Sequence, residues 1–337
     1  MTMTDSNQIN YRYLPAKKII PKDDTFHGSK YFIDIEWWYF DAVFDNEISV
    51  HIGFRIYHIR GFGILQTRIN IYEKGKLIKE KIKRNLLSNI NIDINKPNFI
   101  INDKKIISFN ENINNEKINN WSYTINDIID DVSVNLTFSS LTKGWKIETA
   151  STCWTVPLPS AQVKGDISID GKTIQVKGTG YHDHNWGYSP TTVLQNIGWY
   201  WGRISAETLH ATWANTIASK TTQDLIVVVN RPYSTNNDDL LYNSIHPNNI
   251  TFNAENYKQN HKLSIPHSFT ISFNQKNNDN NFPISANLKM KTINIHYDKI
   301  FIINYWRYHV NVSGTIQYGN IIETIKDKPQ IIEYLRF

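Results

Sequence analysis

The chain has 337 residues, of which 40% are hydrophobic and 20% charged, with a formal net charge of +5. That balance describes a folded, soluble protein and excludes a disordered or fibrous chain. The single cysteine, Cys153, excludes an intrachain disulfide and a cysteine-based zinc site.

Nowhere do about 18 apolar residues follow one another, so no membrane span is expected. The first residues, "MTMTDSNQINYRYLPAKKIIPKDD", contain no apolar signal core, and a cytoplasmic location is the expectation. Lysines are scattered. The group "KEKIKR" (Lys79 to Arg84) reads as a solvated face rather than a nucleic-acid patch. Aromatic residues reach 13%, with 10 tryptophans.

Alternation of apolar and polar residues dominates the chain, and helical periodicity is nearly absent. "DIEWWYFDAVF" places Glu36, Trp38 and Phe40 on one strand face and Trp37, Tyr39 and Asp41 on the other. "EISVHIGFRIYHI" follows with Ile48, Val50, Ile52, Phe54 and Ile56 on one face. "TRINIYEKGKLIKEKI" predicts a hairpin turning at Lys74–Gly75, and "DISIDGKTIQVKG" one turning at Asp170–Gly171. The proline-bearing run "STCWTVPLPSAQVKG" reads as a crossover connection. The expected architecture is all-β: two β-barrel or sandwich domains in tandem, which the resemblance given below makes lipocalin-like and packed against each other. We place them at residues 1–175 and 176–337.

Three segments carry candidate chemistry. In "EWWYF", a glutamate beside tryptophan on an inward face is partly desolvated, which raises a carboxyl pKa and suits Glu36 to acid catalysis. A plain ion pair of Glu36 with Arg55 or Arg203 is the alternative. In "YHDHNWG", an extended backbone puts Tyr181, Asp183 and Asn185 on one face and His182, His184 and Trp186 on the other. Histidines at i and i+2 can bind a metal, but no third ligand is evident nearby, and His51, His58 or His210 could join only through folding. No metal is therefore expected. Acid–base chemistry by His182, Asp183 or His184, and a purely architectural hydrogen-bond cluster, remain equal alternatives. Third, "NIGWYWGRISAETLHATWA" and "NYWRYHVNVSG" supply Trp199, Trp201, Trp213 and Tyr305. With Trp38, Tyr39 and Trp186 they suggest an aromatic-lined cavity, although barrel filling explains any one of them. Nucleophile-elbow, phosphate-loop and HExxH motifs are absent.

"EWWYF" (Glu36 to Phe40), the mid-chain "VPLPSAQVKGDISIDGKTIQVKGTGYHDHNWG" and the C-terminal "GTIQYGNIIETI", with Gly319 and Glu323, resemble the carotenoid 1,2-hydratase (hydroxyneurosporene synthase) and AttH-like superfamily. The resemblance spans nearly the whole chain. It implies two lipocalin-like domains with an apolar cavity, and activities that run from hydration of acyclic carotenoids to Diels–Alderase-type cyclisation. The hydratase branch carries tryptophan after "HD", where this chain has His184; the departure favours the AttH-like or cyclase-like branch.

The resulting expectation is a cofactor-independent enzyme that binds a hydrophobic polyene or isoprenoid-like molecule and cyclises, hydrates or isomerises it. The mechanism is either proton-initiated or pericyclic. A non-catalytic carrier of hydrophobic molecules is the alternative, and a structural protein without a cavity is a weaker third. The expected partner is a small hydrophobic molecule, with a homodimer left open and neither nucleic acid nor an integral membrane span involved.

Overall fold

The computed structural model describes residues 9–28, 31–60, 62–114, 118–191, 196–219, 221–231, 241–276, 282–300 and 303–337. Strands dominate them, joined by tight turns and three short 3-10 segments. The expected all-β class is borne out. Among the described residues, no helix is long and apolar enough to cross a membrane. The chain divides into two compact units, one built mainly on Ala16–Pro190 and the other on Thr191–Val229 and Asn243–Phe337.

The N-terminal unit is a 12-stranded antiparallel sheet. Alternation gives each strand one apolar face, and these faces form a single core. The sheet curls on itself. Phe99 lies on a strand six places from the Ile33–Phe44 strand, yet its ring is 4.7 Å from that of Trp38. Six spacings of about 4.8 Å would set them roughly 29 Å apart in a flat sheet. The C-terminal unit, a 10-stranded sheet, curls likewise. Tyr200 and Phe252 stand five strands apart and their rings are 5.5 Å apart. Both units are therefore barrel-like.

Both predicted hairpins form. Lys74–Gly75 and Asp170–Gly171 have positive φ at each position, as a type I′ turn requires. Glu323 pins a third turn. Its carboxylate accepts backbone N–H groups of Glu207, Thr208 and Leu209 at 2.9, 3.0 and 3.1 Å.

The expected crossover around "STCWTVPLPSAQVKG" is instead a 17-residue strand, Cys153–Ile169. Its register slips between Thr155 and Leu158 and again between Leu158 and Ala161, so Pro157 and Pro159 sit in bulges. A bulge tolerates the missing N–H, which is why two prolines do not break this strand.

The next strand, Lys172–Tyr188, spans the expected boundary at residue 175 and belongs whole to the N-terminal sheet. It lies between Cys153–Ile169 and Ile33–Phe44. Its register sets His184 opposite Trp38, His182 opposite Phe40, Asp183 opposite Tyr39 and Tyr181 opposite Asp41. Pairing thus brings the "EWWYF" and "YHDHNWG" runs together, and the pleat sorts them into two faces.

Candidate functional site

On the core face, directly opposed residues stack. The His182 ring lies on Phe40 (centroids 3.8 Å, planes 4° apart), and His184 lies on Trp38 (4.2 Å, 11°). Such cross-strand pairs are the sheet's own units of packing.

Polar partners come from a segment that the alternation pattern did not reach. The 3-10 turn Pro21–Asp24 enters the unit just before the Ile33–Phe44 strand. Ile19 and Phe26 pack against the core on either side of it. Asp24 is completely buried. Its Oδ2 accepts from Tyr123 Oη at 2.7 Å and contacts His182 Nε2 at 3.0 Å. The Trp38 Nε1–H donates to the Asp24 carbonyl at 2.9 Å, and His182 Nδ1 faces the Tyr39 carbonyl at 2.9 Å.

Glu36 and His184 form the second half of the cluster. His184 Nε2 is 2.8 Å from Glu36 Oε1. The backbone N–H of His27 donates to the same oxygen at 3.0 Å, and His27 Nδ1 stands 3.4 Å from it. The partners of Glu36 are thus histidines rather than Arg55 or Arg203. His184 Nδ1 points to Asp24 Oδ1 at 3.4 Å, but the alignment is too poor for a hydrogen bond, so that contact is electrostatic. His27, whose side chain is 23% exposed, stacks on Trp186 at 4.2 Å and is the cluster's outlet to solvent.

The electrostatics reverse the expectation for Glu36. Burial alone would raise its pKa, but hydrogen bonds from His184 and His27 outweigh burial and hold it below the usual carboxylate value. Asp24 behaves alike. Burial opposes ionisation, yet the charge and hydrogen bond of His182, with the nearby His184, bring it down to about 2. Burial pulls the His184 pKa down, and its contacts with Asp24 and Glu36 push it to about 9. Glu36 in this state is a carboxylate, not a ready proton donor.

His27, Glu36 and His184 each offer one ligand atom, all within 4.8 Å of one another, so these three residues could hold a metal ion. His182 does not join them, because its ring is committed to Asp24 and the Tyr39 carbonyl.

The opposite face of the same strands carries a separate group. Asp183 Oδ2 accepts from Trp154 Nε1 at 3.0 Å and from Tyr181 Oη at 2.9 Å, while Asn185 Nδ2 donates to Oδ1 at 3.0 Å. Beside it, Tyr39 Oη donates to Asp41 Oδ2 at 3.0 Å, and the Tyr39 and Tyr181 rings meet edge to face at 6.2 Å. Asp183 is only 5% exposed.

Within the N-terminal unit the candidate residues therefore divide between two faces. Glu36, His182, His184, Trp38 and Trp186 share the core face of the N-terminal sheet, and Asp183 and Tyr39 share the other face. In the C-terminal unit Trp213 belongs to the barrel core. Trp199, Trp201 and Tyr305 occupy the other face of that sheet, where Tyr305 Oη and Arg307 Nη1 each donate to Glu333 at 2.6 Å. Asp24, His27 and Tyr123 went unnoticed in the sequence. The one local signal was the charged run "PKDDTFH" immediately before "EWWYF".

No family model and no curated protein sequence matches the chain. Solved structures do. An AttH protein from Nitrosomonas europaea is 14% identical, with a TM-score of 0.59 over 95% of this chain and 97% of its own. CghA with Sch210972 is 11% identical, with a TM-score of 0.58 over 98% and 96%. CghA alone is 9% identical, with a TM-score of 0.56 over 98% and 97%. At these identities the likeness is one of fold: over nearly its whole length, the chain has the AttH-like, lipocalin-related fold that its motifs imply.

Proposed function

We propose that the protein is an enzyme that binds a hydrophobic, polyene-like or isoprenoid-like molecule and hydrates, isomerises or cyclises it through proton transfer. The observation that carries this reading is the environment of Asp183. It is a carboxyl group buried among aromatic rings, on the sheet face that is not used for the core, and fixed by Trp154, Tyr181 and Asn185. Once its proton is given up, the anion left there faces the developing carbocation at short range, where little water weakens the attraction. The faces of Tyr39, Tyr181 and Trp154 add to that stabilisation.

In the proposed cycle, the carboxyl of Asp183 gives a proton to one carbon of a double bond, and the neighbouring carbon takes the positive charge. Water or a second double bond of the substrate then adds to that carbon. Asp183 recovers a proton from the added water or from an adjacent C–H. Hydration thus consumes one water, while isomerisation and cyclisation leave the composition unchanged. Tyr181 and Asn185 act as positioning residues.

One observation supports catalysis over simple carriage: a carrier needs an apolar lining and no fixed carboxyl, whereas Asp183 is held by three donors. The fold is shared with CghA, which has been crystallised with the small molecule Sch210972.

The test is to incubate purified protein with a panel of acyclic polyenes and isoprenoids in D2O, with liquid chromatography and mass spectrometry of the extract. A product carrying deuterium on carbon is expected. Recovery of bound but unchanged ligand from every member of the panel would instead identify a carrier.

A further inference from the structure

We infer that His27, Glu36 and His184 form a binding site for a zinc-class divalent cation, with Asp24 as the outer partner of His184. The inference stands apart from the reading of Asp183, which lies on the other face of the strand.

The donor set is the first argument. Two imidazole nitrogens and one carboxylate oxygen are a set that zinc takes in catalytic sites, with the fourth position left to water or substrate. Spacing is the second. Tetrahedral bonds of about 2.1 Å place ligand atoms roughly 3.4 Å apart. His27 Nδ1 and Glu36 Oε1 are 3.4 Å apart; His184 Nε2 and Glu36 Oε1 are 2.8 Å apart and need only a small opening. All three ligand atoms lie within 4.8 Å of one another.

The outer shell is the third argument. A metal-bound histidine characteristically donates its other N–H to a carboxylate. His184 Nδ1 faces Asp24 Oδ1 at 3.4 Å, and both are buried atoms without a hydrogen-bond partner. A cation on Nε2 would draw this contact into a proper hydrogen bond. Asp24 is in turn fixed by Tyr123 and His182.

Charge is the fourth. Asp24 and Glu36 are both buried carboxylates and put negative charge beside the three ligand atoms, which attracts a dication. Access is the fifth. Glu36 and His184 are buried, while His27 reaches solvent and gives an ion a way in.

The test uses the full chain, stripped with a chelator and titrated with Co2+ and then Zn2+. One equivalent per chain is expected. The Co2+ form should show the visible absorption of a four- or five-coordinate site, and Zn2+ should displace it. Glu36 and His184 are buried, so their variants risk misfolding. His27 is partly exposed, and His27→Ala should fold normally. That variant should lose affinity by about 100-fold, and Asp24→Asn, where folded, by roughly 10- to 100-fold. Binding below one equivalent in the wild type, or wild-type affinity in a folded His27→Ala, would overturn the assignment.

Discussion

Asp24 and His182, 158 positions apart in sequence, meet at 3.0 Å inside the N-terminal barrel. The contact ties the segment before the first long strand to the sheet. Asp24→Ala would leave His182 and Tyr123 facing an uncompensated void. Breaking one side of a buried ion pair costs about 3–5 kcal/mol. Urea unfolding of the variant should show a loss of that size. Lys81→Ala, which breaks surface pairs with Asp131 and with Asp130 (3.3 Å), should leave the urea midpoint nearly unchanged.

Gly165 and Gly314 occupy matching places in the two barrels. Gly165 has φ +146° and Gly314 +143°, a region that side chains avoid. A Cβ at Gly165 would lie 1.9 Å from the Asn135 carbonyl oxygen, and one at Gly314 would lie 2.0 Å from that of Asn287. Gly165→Ala and Gly314→Ala should each destabilise the protein by at least about 1–3 kcal/mol from backbone strain alone. Thermal melts against the wild type check this.

The C-terminal unit should be acid-sensitive. His210 is buried, and burial first, then Lys328 and Arg203, pull its pKa down to about 3. His309 is lowered to about 3 by burial and by Arg307 and His296. In the unfolded chain both titrate near about 6.5. Between those values the unfolded state binds protons that the folded state refuses. Stability is therefore full above pH of about 6.5 and falls as the pH drops towards 3. His210→Leu should flatten that decline, as read from urea midpoints between about pH 4 and 7; an unchanged slope would count against it.

The strands, the two glycine turns and the division of "EWWYF" and "YHDHNWG" into faces were legible, because each rests on alternation or turn chemistry within a few residues. Which faces would meet was not. Glu36 and His184 are 148 positions apart, and their pairing depends on sheet order, which no local pattern carries. Asp24 and His27 lie in an irregular segment without periodicity, so nothing marked them as core. Glu36 was expected to have a raised pKa because a desolvating tryptophan was visible in the sequence. Its histidine partners, which reverse the shift, were not. The two prolines of "VPLPS" concealed a strand because proline normally ends one; the bulges that admit them appear only in the register.

The Asp183 carboxylate carries the functional account, and the most direct test is Asp183→Asn. The amide keeps the shape, its oxygen can still accept from Trp154 and Tyr181, and its NH2 meets Asn185, whose amide must turn to offer its oxygen, so the variant should fold with a modestly lowered melting temperature. It can neither exchange the proton nor hold the charge. On whichever polyene the wild type converts, single-turnover rates should fall by about 10²–10⁴-fold, with substrate binding largely retained. Wild-type turnover by a folded Asp183→Asn would contradict the account.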